Sequence, residues 1–121
     1  MIKQIKSSEI KKFIENNPKS VLLDVRTNNE WQTVGKPDSE SLGIKTYFIT
    51  ISQDPSFIEN IKKEINKENQ VLVICAAGGR SIIAATLLHK EGYVAHNISD
   101  GFSGNGVDPG WKNLGLPSSN S

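Results

Sequence analysis

Cysteine is almost absent from this 121-residue sequence, which contains only Cys75. A single thiol cannot form an intramolecular disulfide or a multi-thiolate metal site, and it is typical of a protein from a reducing compartment. Long hydrophobic runs are missing as well, since none approaches the roughly 18 residues that span a membrane. Residues 1–12 lack the apolar core of a signal peptide. We therefore expect a cytoplasmic protein that does not associate with membranes.

An excess of charge of one sign is also missing. The sequence has 14 lysines and arginines against 13 aspartates and glutamates, a net charge of +1. This balance argues against a nucleic-acid partner or an acidic membrane surface. The length suits one domain with a buried core, which we place at residues 1–117, followed by a disordered tail at 118–121. We expect a monomer, with a weak dimer as the alternative.

Short aliphatic segments alternate with helical segments along the chain. Helices are predicted after a cap at Ser7 or Ser8, at the Thr27–Glu30 capping box, from Pro55 after a cap at Asp54, from Ser81, and from Pro109 after a cap at Asp108. The predicted strands are residues 4–5, 21–25, 47–51, 71–74 and 93–98. The alternation predicts an α/β fold with a five-stranded, mostly parallel sheet and helices on both faces, in three layers. Functional residues of such sheets collect at the carboxyl ends of the strands.

Cys75 lies at such a strand end, directly before a glycine-rich turn and a predicted helix. Gly78 and Gly79 allow the backbone to turn tightly. The N–H groups at the start of the helix are free to hold a negative charge, so the thiol should ionise readily and act as a nucleophile. Arg80 adds a cation to the same loop. The alternative for Cys75 is a buried structural thiol.

Three further polar residues follow the second predicted strand at the same sheet edge. Asp24, Arg26 and Glu30 could line the site, but we expect Arg26 and Glu30 to pair and hold the strand end against the short helix. We expect Arg80 to fix the loop and contact an oxyanion of the substrate, the alternative being a cap or a salt bridge. The sequence leaves Ser81 open as a helix cap or a contact to the sulfur.

Neither histidine is well placed to activate the thiol as a base. His89 lies eight residues after Ser81, a displacement of about 12 Å along a helix. His96 falls in the middle of a predicted strand that enters from the opposite edge. Activation by backbone amides and Arg80 is the simpler prediction.

Taken in order, these motifs resemble the rhodanese family of sulfurtransferases over nearly the whole chain. The matching segments are Leu23–Arg26 followed by Glu30-Trp31, Cys75–Ser81, Asp100–Phe102, and Gly110-Trp111 with Gly115–Pro117. One segment departs from the family, because Gly35-Lys36-Pro37-Asp38 stands where members commonly have His-Ile-Pro-Gly-Ala. The resemblance implies a five-stranded parallel sheet and a cysteine that carries a persulfide from a sulfur donor to a thiophilic acceptor.

The predicted function is therefore sulfur transfer through Cys75. The donor would be thiosulfate or a low-molecular-weight or protein persulfide, and the acceptor a thiol or cyanide, with no metal or organic cofactor. Thiosulfate should be a poor donor, because Ala76 and Ala77 bring no charge to it. The predicted cradle for the persulfide consists of Ala76, Ala77, Gly78, Gly79, Arg80 and Ser81.

Two other functions stay open at this point. Cysteine-dependent phosphatases and arsenate reductases use a similar loop, usually with one more residue between cysteine and arginine than the four present here. A tighter loop is better sized for one sulfur than for a tetrahedral phosphoryl group. The second alternative is a non-catalytic binding module of rhodanese shape.

Overall fold

Five parallel strands form the central sheet of the computed structural model, which describes residues 2–119. They are β1 (Lys3–Ile5), β2 (Ser20–Asp24), β4 (Thr46–Phe48), β5 (Gln70–Ile74) and β6 (Val94–Ile98), in the order β1-β6-β5-β2-β4. Every neighbouring pair in this sheet is parallel. A separate antiparallel pair joins β3 (Lys36–Pro37) to β7 (Ser118–Ser119). The predicted α/β fold with a mostly parallel five-stranded sheet is confirmed.

Within residues 2–119, five α-helices connect these strands. The second begins after Thr27, as the capping-box pattern predicted, and the third begins at Ser56, one residue after the predicted first position, Pro55. At the start of the second helix, the Thr27 hydroxyl accepts from the Glu30 N–H and the Glu30 carboxylate accepts from the Thr27 N–H, both at 3.2 Å. Asp54 likewise accepts from the Ser56 N–H at 2.9 Å. The helices are α1 (Ile10–Asn16), α2 (Asn28–Thr33), α3 (Ser56–Glu64), α4 (Gly79–Lys90) and α5 (Gly110–Asn113). Within residues 2–119, no helix combines the length and apolarity needed to cross a membrane.

The core lies on both faces of the sheet because β5, the central strand, is apolar on both sides. Val71 and Val73 pack with α3 and α4 on one face. Leu72 and Ile74 pack with α1 and α5 on the other. Alternate side chains of a strand point to opposite faces, so a strand covered twice must be apolar at successive positions. This arrangement produces the three predicted layers.

The predicted disordered tail is wrong for its first two residues. Ser118 and Ser119 pair with Pro37 and Lys36, and the remaining residues, 120–121, lie outside the described part of the chain. Pro117 anchors this segment, because its carbonyl accepts from the Trp111 indole N–H at 2.7 Å and from the Asp38 N–H at 2.8 Å.

One strand is shorter than predicted. The segment predicted as residues 47–51 leaves regular strand geometry after Phe48. Beyond that point the N–H groups of Ile49 and Ile51 bond to the carbonyls of Asp24 and Val25, at 3.0 and 3.1 Å. The neighbouring strand β2 itself ends at Asp24, so regular pairing cannot continue.

Candidate active site

The cysteine loop, residues 75–81, joins the carboxyl end of β5 to the first turn of α4. The helix begins at Gly79, two residues before the predicted start. Gly78 has a φ of 99°, and a Cβ at this position would overlap the carbonyl oxygen of Ser99. Glycine is therefore required at position 78 both for the backbone angle and for the close approach of Ser99, the residue that follows β6.

The Cys75 sulfur lies inside this loop and faces hydrogen-bond donors. The N–H groups of Gly78 and Ser81 point at Sγ from 3.2 and 3.3 Å, and the Ser81 hydroxyl is 3.2 Å away. The residue is only 1% exposed. The loop therefore forms an anion cradle centred on the sulfur, as expected of a loop that runs into a helix N-terminus.

Two opposing influences set the pKa of the Cys75 thiol. Burial is the largest single one and raises it. The Ser81 hydroxyl and the backbone N–H groups of Ser81, Ala77 and Gly78 act together in the other direction, and the net result is a pKa below the usual value for cysteine. The thiolate, which is the nucleophilic form, is accordingly favoured.

The two histidines lie away from the sulfur. His89 is in the last turn of α4, and the His96 ring bonds to the side chain of Gln70 at 2.7 Å, at the opposite end of β5 from Cys75. The cradle therefore acts on the sulfur without an imidazole.

Asn97, on β6, is a site residue that the sequence analysis missed. The Ser81 hydroxyl donates to its Oδ1, while its Nδ2 donates to Gln4 Oε1 at 2.8 Å and to the Gly78 carbonyl at 3.3 Å. It is 2% exposed. The available signal was a short amide side chain in a strand where only the neighbouring His96 is also polar, since a buried polar group needs partners.

Arg80 is held by Glu30 rather than left free. Nη1 and Nη2 of Arg80 lie 2.6 and 2.8 Å from the two carboxylate oxygens of Glu30. The hydrogen bond from Arg80 is the main cause that lowers the pKa of Glu30 from 4.5 to about 2. Since this pKa is depressed, the stability contributed by the pair is present above the usual carboxyl range and is lost as the pH falls towards 2.

The predicted pairing of Arg26 with Glu30 is wrong. Arg26 instead binds Asp24 through Nε and Nη2, with a shortest distance of 2.8 Å, and its Nη2 also donates to the Gly35 carbonyl at 2.9 Å. Its guanidinium carbon lies 4.2 Å from the centroid of the Phe102 ring. Arg26 and Asp24 are both fully buried. They form a buried ion pair at the carboxyl end of β2.

The Asp100-Gly101-Phe102 turn supports the cysteine loop from the side of β6. The Phe102 N–H donates to the Cys75 carbonyl at 2.8 Å. The Asp100 carboxylate accepts from the backbone N–H groups of Ser7 and Gly110 at 2.9 and 3.0 Å. These hydrogen bonds give Asp100 and Phe102 a structural role, which is to hold the turn against the cysteine loop.

A family model described as the rhodanese-like domain matches residues 7–105. The chain belongs to this family. The resemblance identified from the motifs is confirmed.

Individual relatives agree with the assignment. An uncharacterized protein of Rickettsia prowazekii is 35% identical over 120 residues, 97% of each chain. A chloroplastic thiosulfate sulfurtransferase of Arabidopsis thaliana is 34% identical over 68 residues, 55% of this chain and 52% of that protein. The crystal structure of Rv0390 from M. tuberculosis matches with a TM-score of 0.83 at 29% identity, covering 98% of this chain and 97% of that one. This rhodanese-like domain is thus related at modest identity to a sulfurtransferase.

An apolar groove adjoins the cysteine loop of this rhodanese-like domain. It measures about 500 Å³ and lies between the chain after β4 and the helices α3 and α4, with Arg80 at one side. Ile83 on its wall is 57% exposed. The other apolar walls include Ile51, Pro55, Ile58 and Leu87. Ser52, Gln53 and Asp54 are the polar members of a lining that is otherwise mostly apolar, so a substrate that reaches the loop from this side contacts mainly hydrocarbon.

Proposed function

We propose that the protein is a sulfurtransferase that carries a persulfide on Cys75. The observation that supports it best is the cradle around Sγ, in which two N–H groups donate to the sulfur and the Ser81 hydroxyl accepts from the thiol. In the first half-reaction, the thiolate attacks the outer sulfur of a donor. The new S–S bond forms with the electron pair of the thiolate, and the donor's bond to that sulfur breaks, so that sulfite or a thiolate departs with its electron pair.

The second half-reaction returns the enzyme to its starting state. A thiolate or cyanide attacks the terminal sulfur of the persulfide, and Cys75 leaves as a thiolate that the cradle stabilises. In each step an electron pair of the nucleophile forms the new bond and the leaving group departs with the pair of the broken bond, so neither step requires a metal or an organic cofactor. A carrier of this kind depends on a free thiol, and we infer that it works in a reducing compartment, the cytoplasm.

The closed shape of the loop favours sulfur over phosphoryl chemistry. Gly78 and Ser81 direct their N–H groups at the sulfur itself, and Cys75 is 1% exposed. A tetrahedral phosphoryl group would need those donors at its own oxygens and more room than four intervening residues leave. A terminal sulfane sulfur is a single atom, and it needs less space than a phosphoryl group to approach Sγ.

The charges near the loop favour a persulfide donor over thiosulfate. Arg80 is bound through both of its terminal nitrogens by Glu30, and Ala76 and Ala77 are uncharged. The neighbouring groove is apolar. The loop therefore offers no unpaired cation to the sulfonate end of thiosulfate. The organic part of a persulfide, in contrast, can pack against the apolar groove.

Intact-mass measurements test both the chemistry and the donor. The purified protein is incubated separately with thiosulfate, glutathione persulfide and a generic phosphoester, and a thiol is added afterwards. We expect one added sulfur atom, faster loading from the persulfide, and complete loss of the sulfur to the thiol. Because Cys75 is the sole cysteine, the added sulfur is assigned without ambiguity.

Two outcomes of that experiment would contradict the proposals. Hydrolysis of the phosphoester without sulfur loading would reject the sulfurtransferase in favour of a phosphatase. Efficient loading at low thiosulfate concentration would reject only the donor preference.

Replacing Glu30 with glutamine should increase the rate of loading from thiosulfate roughly fivefold, the equivalent of about 1 kcal/mol for a partly exposed ion pair. The neutral amide holds the Arg80 guanidinium less tightly and leaves it available to an anionic donor. Glutamine keeps the carbonyl oxygen that accepts from the Thr27 N–H, so the cap of α2 is preserved. The measurement is the loading rate for each donor.

Glu91→Gln is the matched control for this change. It removes the same charge from the Lys62–Glu91 pair, 2.8 Å apart at the far end of α4, and should leave loading unchanged. Slower loading of Glu30→Gln from both donors would show that the pair shapes the loop and does not withhold Arg80 from thiosulfate.

A further inference from the structure

The Ser81 hydroxyl lies between two groups that can each accept its single hydrogen. Cys75 Sγ is 3.2 Å away on one side, and Asn97 Oδ1 is in hydrogen-bond contact on the other. Cys75, Ser81 and Asn97 are between 0 and 2% exposed. The three groups therefore have to satisfy one another, because water does not reach them freely.

The orientation of the Asn97 amide follows from its other partners. Its Nδ2 faces the carbonyl of Gly78 at 3.3 Å and Oε1 of Gln4 at 2.8 Å. A backbone carbonyl only accepts, so the amide nitrogen has to be on that side and Oδ1 has to face Ser81. The hydroxyl hydrogen then points to Asn97, and Ser81 Oγ can only accept from the Cys75 thiol.

We propose that Asn97 is a positioning residue that directs the hydroxyl hydrogen of Ser81 away from the protonated sulfur and competes with the thiolate for it. This inference rests on the proposed role of Cys75 as the nucleophile. No contact between Asn97 and a substrate is involved.

The hydrogen bonds change in a defined sequence during a catalytic cycle. In the resting thiol, S–H donates to Ser81 and Ser81 donates to Asn97. When the thiol proton passes to solvent water, the hydroxyl turns to donate to the thiolate, and Asn97 Oδ1 loses its partner. Once Sγ is bonded to the transferred sulfur it no longer carries a charge, and the hydroxyl turns back to Asn97. The amide thus opposes the free thiolate and stabilises the thiol and persulfide states.

Other charges near the sulfur belong to separate pairs. Arg80, from α4, interacts electrostatically with Cys75 and is held by Glu30 of α2. At the end of β2, Asp24 is neutralised by Arg26, and the carboxylate of Asp100, after β6, is occupied by two backbone N–H groups. Among residues 2–119, none of these ionisable side chains bonds to Ser81 or Asn97, so substitutions at those two positions leave the charges in place.

The pH dependence of alkylation of Cys75 by iodoacetamide tests the inference without any sulfur donor. Ser81→Ala should raise the midpoint of the profile, because the thiolate loses a donor. Asn97→Val should lower it by about half to one unit, the size of one hydrogen bond, because the hydroxyl is released to the sulfur. Valine suits a buried strand position. In the Ser81→Ala background, Asn97→Val should produce no such decrease.

A merely structural role for Asn97 predicts a different pattern. A raised midpoint in Asn97→Val, or an equal shift with and without the Ser81 hydroxyl, would overturn the inference. Thermal unfolding shows whether each variant is folded. If Asn97→Val does not fold, Asn97→Ala takes its place and is judged by the same criteria. If the alkylation profiles agree but the wild-type protein accepts no sulfur from any donor, the proposed function fails and the role of Asn97 stands.

Discussion

Cys75→Ser is expected to lower sulfur transfer by roughly a thousandfold or more, to the background rate, as is typical when a nucleophile is removed. The serine hydroxyl stays protonated at neutral pH and cannot form a persulfide. In the wild-type protein two backbone N–H groups donate to Sγ at 3.2 and 3.3 Å. A serine oxygen at the same place can accept the same two hydrogen bonds, so the fold should be retained. Turnover, sulfur loading and thermal unfolding are measured on the same preparation.

The control for this substitution is Thr86→Ser, at an exposed position of α4 outside the cysteine loop. Serine keeps the hydroxyl that donates to the Ile82 carbonyl at 2.8 Å, so this variant should retain turnover. If Cys75→Ser retained most of the activity, the assignment of the nucleophile would be wrong. If it unfolded while Thr86→Ser did not, Cys75 would be primarily a packing residue.

Arg26→Ala is expected to destabilise the protein by about 3–5 kcal/mol, because removing one partner of a buried ion pair leaves the other charge without compensation. Asp24 is fully buried, and Arg26 supplies its bonds at 2.8–3.1 Å. The substitution also removes the guanidinium that packs over Phe102. Urea unfolding, monitored together with sulfur loading of the folded fraction, measures the effect.

The double variant Asp24→Asn/Arg26→Met separates charge from packing. It removes both charges of this pair and leaves neither one buried without its partner, so it should be more stable than Arg26→Ala alone. An unchanged unfolding curve for Arg26→Ala, accompanied by lost sulfur loading, would instead make Arg26 a residue of the active site.

Local signals in the sequence determined the order of the elements and the position of Cys75 at the end of a strand. The aliphatic run before Cys75 predicted β5, and the Thr27–Glu30 and Asp54-Pro55 patterns predicted where helices begin. These features depend on neighbours within about four residues, through backbone preference and end-capping. The alternation of the elements then sufficed for the parallel sheet and for placing Cys75 at its carboxyl edge.

The tertiary structure alone decided which charges and polar groups meet. Sequence proximity suggested that Arg26 pairs with Glu30, but Glu30 binds Arg80, 50 positions away, and Arg26 turns back to Asp24. Asn97 joins Ser81 and Gln4 because β6 lies between β5 and β1 in the sheet. Long side chains reach across elements, and their partners depend on sheet order and packing, which local patterns do not contain.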